Sequence, residues 1–341
     1  MSRGAAHGKV ILFGEHAVVY GVPALAVGID RGAWAEATAR SAADANAQSV
    51  MYVRGWDVRV SASGDDDAPP LARAFHGLLG ATRDAQRAAG EVPISVVDVE
   101  AEADLPPGGG LGCSAALGVA VARAIDPSAS PEAIATRVDV WERVFHGNPS
   151  GIDAAVSALG GCVHFTRSAE GAPEIERVRV PVSLHLAVGH SGQSSSTKSM
   201  VESVARMRER RPETTQRTFD AIHTLVKNAR LAIADGDLRA IGQLLDLNQM
   251  LLSGLFVSTP EIEQMCGTAR AAGAVGAKLT GAGGGGCVVA LVESVAVGDA
   301  VLAAWKAEGF DGFAATVKAD VENVLELLAK RSTNVATAES P

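Results

Sequence analysis

Basic runs, paired cysteines, long apolar stretches and aromatic side chains are all scarce in this chain of 341 residues. Lys and Arg total 30 against 39 Asp and Glu, a formal charge of −9, and no basic run exists of the kind that nucleic acid or an anionic membrane requires. An anionic ligand must therefore be held by local groups and not by the global field. The four cysteines, at 113, 162, 266 and 287, form no C-x-x-C pair and no metal-ligand spacing, so they read as reduced thiols of a cytoplasmic protein. Glu15 and His16 interrupt the apolar N-terminus before a signal-peptide core forms, and Glu293 and Asp299 break the most apolar C-terminal region. No membrane span is expected. The length suits roughly two domains of about 150 residues each.

Glycine, by contrast, is abundant, and it gathers in two turns, PPGGGLGCSAALG (Pro106 to Gly118) and KLTGAGGGGCVVAL (Lys278 to Leu291). Only the first opens a helix, with apolar residues at helical spacing as far as Ile125. The first N–H groups of a helix have no intrahelical partner and carry a partial positive charge, and a glycine approach lets phosphate oxygens reach them. The expected ligand is a nucleotide phosphate chain. A P-loop is excluded, because the turn closes with Gly112-Cys113-Ser114 and lacks the lysine. In the second turn Gly281, Gly283 and Gly286 fit G-x-G-x-x-G, but Cys287–Leu291 reads as another strand, whereas a dinucleotide fingerprint must pass from strand into helix.

Alternation predicts strands at Lys9–Phe13, Ala24–Ile29, Ala33–Ala39, Val58–Ser61 and Pro93–Ala101, with a Gly14–Val22 excursion between the first two and a loop from Arg40 to Gln48. Pro-led helices are expected from Pro70 to about Ala89 and from Pro131 to Phe145. The turn His146–Gly151 separates the latter from a helix over Ile152–Leu159 and a strand over Cys162–Thr166. A strand at Leu184–Val188, four helical stretches between about Ser196 and Ala272, and strands at Val275–Leu279 and Cys287–Val292 predict an α+β layer. Residues 331–341 lack apolar anchors and are expected to be disordered.

Phosphoryl transfer needs a phosphate cradle, a metal to neutralise charge, and a group that positions or deprotonates the attacking hydroxyl. Ser114, on the first turn of the phosphate-binding helix, and Glu142, late on a following helix, offer the oxygen donors that Mg²⁺ prefers. Asp153 follows a Pro-Ser-Gly turn and is the candidate base; Lys9 is placed to hold that carboxylate ionised and to attract the transferring group. Each has a plainer role open to it: Asp153 and Ser114 as helix caps, Glu142 on a solvated helix face, Lys9 on a surface strand.

Three segments, GKVILFGEHAVVYGVPALAVGID (Gly8–Asp30), DLPPGGGLGCSAALG (Asp104–Gly118) and KLTGAGGGGC (Lys278–Cys287), resemble the motifs of the galactokinase, homoserine kinase, mevalonate kinase and phosphomevalonate kinase superfamily. WERVFHGNPSGIDAAVSALGG (Trp141–Gly161) and the Ser196-Thr197-Lys198 stretch resemble the mevalonate kinase family within it. The resemblance spans about residues 8 to 320. It implies an α+β, two-domain small-molecule kinase fold: an N-terminal catalytic domain (1–180) and a ferredoxin-like C-terminal domain (181–330), with the active site between them. It implies ATP and Mg²⁺, mevalonate as acceptor and 5-phosphomevalonate as product, small-molecule partners only, and leaves self-association as a homodimer open. By the same resemblance Asp153 matches the catalytic aspartate, Lys9 the lysine beside it, and Ser114 and Glu142 the Mg²⁺ ligands. Glu15, His16 and Thr197 match positions lining the mevalonate side. Pro107, Gly108, Gly109, Gly110, Leu111, Gly112, Cys113, Ser114 and Ala115 match the ATP phosphate loop, which the second glycine turn braces.

Cys113 stands where relatives usually carry serine, Gly109 where alanine is common, Ala154 where asparagine is frequent, and Phe13 and Tyr20 where animal relatives carry histidine. A thiol at a helix N-terminus is expected to have a lowered pKa, which would make Cys113 reactive, unless it is simply a small buried residue. A phosphomevalonate kinase, or another small-molecule kinase of the superfamily, is the alternative within it, though no basic cluster for an extra phosphate lies near Glu15 and His16. A catalytically inactive ligand sensor on the same fold is the alternative of a different class.

Overall fold

The computed structural model describes residues 1–40, 47–106, 108–147, 149–168, 173–193 and 195–320. Pro107, most of the loop expected after Arg40 and the tail 331–341 lie outside these residues. In chain order the elements are β1 (Ser2–Phe13), a 3-10 turn (Ala17–Tyr20), β2 (Ala24–Arg40), β3 (Val50–Val53), β4 (Val58–Ser61), α1 (Pro70–Ala88), β5 (Val96–Ala103), α2 (Cys113–Ile125), α3 (Pro131–His146), α4 (Ile152–Leu159), β6 (Cys162–Thr166) and β7 (Glu174–Val178). There follow β8 (Leu184–His190), α5 (Thr197–Arg210), α6 (Pro212–Asp235), α7 (Leu238–Gly254), α8 (Pro260–Ala271), β9 (Gly276–Thr280), β10 (Cys287–Val292), α9 (Val295–Ala307) and β11 (Asp311–Val317). None of the described helices is long and apolar enough to cross a membrane.

The first seven strands make one sheet in the order β4-β3-β5-β2-β6-β7, with β1 on β2. The two strands expected at 24–29 and 33–39 are one. Its first residues, Ala24–Val27, pair with β6 and its last, Ala33–Arg40, with β5, while β1 runs along the opposite edge. The polar Asp30-Arg31-Gly32 step that looks like a break is absorbed where β1 shifts register between His7 and Gly8. β3 and β7 are absent from the sequence reading for local reasons: β3 is only four residues long, and β7 exposes four of its five residues and so offers no alternating apolar face.

Helix α2 is the centre of this half. Every one of its residues except Ser114 and Arg123 is buried, and it packs on β1 and β2. Around it α1 turns Leu71, Ala74, Phe75, Leu78 and Thr82 inward at helical spacing and packs on α3. α3 starts where Ser130 accepts from the Ala133 N–H and Pro131 fills the first helical position.

The remaining strands form a four-stranded antiparallel sheet, β11-β8-β10-β9. Helices α7 and α8 pack on β9, and α9 on β11 and β8. Numbered within this sheet the order is 4-1-3-2, with helices between the first and second strands and between the third and fourth, which is the ferredoxin-like pattern. The sheets are stitched together where the Asp30 carboxylate accepts from the Thr316 N–H (2.8 Å) and Arg31 lies over the Phe313 ring, 4.3 Å from its centroid.

The fit of α2 on β1 depends on Gly4, where an added Cβ would lie 2.2 Å from the Ala120 carbonyl oxygen and 2.5 Å from the Ala124 nitrogen. Backbone atoms cannot rotate away, so Gly4→Ala is expected to destabilise the fold by about 1–3 kcal/mol through overpacking. The urea midpoint measures this, and an unchanged midpoint would mean that α2 can shift freely on the sheet.

Candidate active site

Lys9 sits on β1 with only 4 % of its surface exposed, so its ammonium needs partners. It donates to the Gly110 carbonyl (3.1 Å) and pairs with Asp153 Oδ1 (2.6 Å). Asp153 is the second residue of α4, whose entry at Gly151 has no side-chain cap. The aspartate is therefore engaged by the lysine and is not a helix cap. Nor is Ser114 a cap: Gly112 occupies that position on α2, and the serine hydroxyl donates to Glu142 Oε1 (2.7 Å). The Trp141 indole N–H reaches the Ser114 carbonyl (3.1 Å) and hydroxyl (3.2 Å), fixing α2 against α3.

Gly112 lets these parts meet. Its φ is +70°, and a Cβ there would stand 3.2 Å from Lys9 Cβ and 3.4 Å from Asp153 Oδ1. The N-terminus of α2 thus opens directly onto the Lys9–Asp153 pair. Of the remaining turn residues, Gly108 and Gly110 are exposed and Gly109 is buried. Leu111, Cys113 and Ala115 point inward, and the Leu111 carbonyl accepts from the Lys9 N–H (2.8 Å), so they offer a ligand backbone groups only. The second glycine turn joins β9 to β10, strand to strand, and packs on the first. A Cβ on Gly281 would lie 3.5 Å from Gly110 Cα, and one on Gly109 3.1 Å from Cys287 Sγ.

Glu142 is not on a solvated helix face, being only 3 % exposed. Burial, reinforced by the Asp153 charge, pushes its carboxyl up to about 7 against the pull of the Ser114 hydroxyl. A carboxylate disfavoured by burial and by a second carboxylate, with a hydroxyl at 2.7 Å, suits a divalent cation that takes its other ligands from phosphate and water. Among the described residues no group of three or more His, Cys, Asp or Glu forms a self-sufficient metal site. The donor set thus fits Mg²⁺ brought with a nucleotide.

The acceptor-side residues are placed less uniformly. Glu15, expected to line the cleft, has a side chain with no exposed surface; it pairs with Lys278 and accepts from Asn248 Nδ2 (3.2 Å). That expectation is corrected, because both carboxylate oxygens are spent inside the protein. Burial pushes Glu15 up and Lys278 down, and the attraction between them opposes both shifts. His16 holds a positive φ of 61° and its Nε2 bonds the Ala282 carbonyl (2.8 Å) in the second glycine turn. Thr197 is exposed on the first turn of α5, close behind Ser195, whose hydroxyl donates to the Gly283 carbonyl (2.7 Å). The second glycine turn therefore ties His16 to the start of α5.

Residues 77–161 match the family described as GHMP kinases N terminal domain, and residues 229–311 match GHMP kinases C terminal. The mevalonate kinase of Thermococcus onnurineus is 36% identical over 309 residues, covering 84% of this chain and 88% of that protein. That of Pyrococcus abyssi is 34% identical over 310 residues, covering 84% and 87%. The chain belongs to the mevalonate kinase family. Its fold is also that of L. major mevalonate kinase, solved in complex with R-mevalonate, with a TM-score of 0.75 at 29% identity over 94% of this chain and 97% of that one.

Cys113 stands apart from the family pattern. Its thiol is buried and directed at the Leu105 carbonyl (3.7 Å), and burial, with the Glu142 charge adding to it, pushes it up to about 11. Burial thus favours the plainer of the two readings of Cys113, a small buried residue. Residues the sequence reading missed are Trp141, Asn248, Lys278 and Thr280. For Lys278 and Thr280 a signal existed: a lysine and a threonine in the otherwise apolar strand Gly276–Thr280 must find buried partners.

Two outcomes are expected. Iodoacetamide at about pH 8 leaves Cys113 unmodified in the folded enzyme by peptide mass spectrometry; rapid labelling would show an accessible thiolate. For Glu142 the folded value of about 7 lies above the ordinary 4.5, so the folded state holds the extra proton and stability is lost as pH rises across that window. Glu142→Gln removes this loss. The metal-free variant should gain about 3 kcal/mol over wild type on going from about pH 4.5 to about pH 8, read by denaturant unfolding. A difference independent of pH would place the proton elsewhere.

Proposed function

We infer that this protein transfers the γ-phosphoryl group of ATP to the primary hydroxyl of mevalonate, giving 5-phosphomevalonate. The observation that carries the reading is the Lys9–Asp153 pair, 2.6 Å apart, set against the open N-terminus of α2 in a mevalonate kinase fold. ATP is the co-substrate expected of a GHMP kinase, and its phosphates are assigned to the turn from Gly108 to Gly112 and the first N–H groups of α2. Ser114 and Glu142 would hold Mg²⁺, which when bound supplies neutralisation of phosphate charge.

Asp153 is the group that orients the acceptor hydroxyl. As the hydroxyl oxygen takes the phosphoryl group and ADP leaves, the proton passes to Asp153. In a loose transition state that proton leaves late, so the main contribution of Asp153 is orientation. Lys9 spends two of its three donors on Gly110 and Asp153, and the third is assigned to the oxygens of the transferring group. His16 and Thr197 are assigned to the acceptor side.

Phosphomevalonate is the poorer acceptor on this geometry. The cation beside Glu15, Lys278, is itself fully buried and bonded to that carboxylate, which leaves it no charge to offer a second phosphate. We also place the domain division near residue 180, between β7, the last strand of the first sheet, and β8, the first of the second.

The test is Mg²⁺-dependent ADP release from ATP with mevalonate, phosphomevalonate and galactose as parallel acceptors. Release with mevalonate alone is expected. Release with phosphomevalonate alone would move the enzyme one chemical step along, and silence with all three would mean a binding protein. Asp153→Asn is expected to lower kcat by about 100-fold or more with an unchanged melting temperature. Near-normal turnover would remove Asp153 from the reaction.

A further inference from the structure

Strand β1 gives one edge to β2, and its second half, Gly8–Phe13, is buried. The buried backbone groups on its other edge need partners, and among the described residues no strand pairs with that edge. Lys9 N–H is taken by the Leu111 carbonyl of the phosphate turn (2.8 Å). Two residues on, both backbone groups of Ile11 are taken by one side chain. The Thr280 hydroxyl accepts from Ile11 N–H (3.0 Å) and donates to Ile11 C=O (3.1 Å), so a single hydroxyl does what a neighbouring strand would do. The ladder to β2 is irregular here, with a register shift between Ile11 and Phe13, so β2 alone does not fix this stretch.

We propose that Thr280 is a positioning residue for the phosphoryl transfer, setting through the Ile11 backbone the place where Lys9 meets Asp153; the proposal rests on the kinase reading above. Thr280 is 2 % exposed and its hydroxyl is bonded to Ile11 on both sides, so it acts through β1. It is itself held in place from both sides. Lys278, on the same face of β9, is paired with Glu15, and the Leu279 N–H donates to Gln249 Oε1 (2.9 Å). The Thr280 carbonyl oxygen would stand 3.5 Å from a Cβ on Gly110, the residue whose own carbonyl receives the Lys9 ammonium. The second sheet therefore registers β1 and the phosphate turn against each other at one point.

Thr280→Val keeps the shape, removes both hydrogen bonds and leaves the Ile11 N–H and C=O buried and unpaired. Thr280→Ser keeps both bonds. With mevalonate and ATP saturating, and below the melting temperature of each variant, T280V is expected to lower kcat about ten-fold or more, with kcat/KM falling in parallel, and T280S to run close to the wild-type rate. In a Lys9→Met background T280V should add little, because the group it positions is gone. Should T280V not fold, Thr280→Cys, with a weakly bonding thiol, takes its place in the same cycle. Wild-type turnover by T280V, or an equal further loss in the K9M background, overturns the proposal and leaves the kinase reading intact. A fully active K9M likewise overturns the proposal, because the group Thr280 is said to position would not be needed, whereas a wild-type enzyme that releases no ADP with mevalonate overturns the kinase reading instead.

Discussion

A buried ammonium must be paired, and the pairing of Lys9 organises the rest of this molecule. Its partners come from two separate places, the carbonyl of Gly110 in the phosphate turn and the carboxylate of Asp153 at the start of α4. To bring them within reach, α2 has to be driven into the sheet with its N-terminus foremost. That explains both the near-total burial of α2 and the lack of a Cβ at Gly4 and Gly112, at its two ends. An anionic phosphate chain arriving at this helix end meets unpaired N–H groups, a lysine and a carboxylate in one place, although the chain as a whole is acidic.

The second sheet contributes rigidity to this arrangement and little of its charge. Lys278 and Thr280 of β9 and the carbonyl of Ala282 grip Glu15, Ile11 and His16, all within one short stretch of the N-terminal half. A buried ion pair such as Glu15–Lys278 is a weak source of net stability, because desolvation offsets much of the attraction, but it strongly disfavours any other register. The strained φ of His16 is compatible with that view: a non-glycine residue at +61° costs about 1–3 kcal/mol and persists where its surroundings over-determine it.

Glu142 shows the cost of burying a carboxyl beside a second one. Burial and the Asp153 charge raise its carboxyl to about 7, so stability is lost as pH rises toward neutrality. The pairing with Ser114 keeps the two oxygens together.

Much of this was legible in the order of residues. Glycine next to a helix start gave the phosphate turn, Pro-led segments gave α1 and α3, and the helix at Ile152–Leu159 and strands at Cys162–Thr166 and Cys287–Val292 fall where local pattern places them. The sequence by itself determined most of the elements, though not β3, β7 or the continuity of β2, and the absence of a lysine P-loop, because these depend on neighbours in the chain; Lys9, Ser114, Glu142 and Asp153 it offered as candidates, through residue type and a resemblance. Only the tertiary structure decided which polar groups are spent inside. Glu15 turns away to Lys278, the Cys113 thiol is buried and pushed up to about 11, and Thr280 serves a strand 269 positions away. Desolvation and long-range hydrogen bonding act through space, so they have no signature in local spacing.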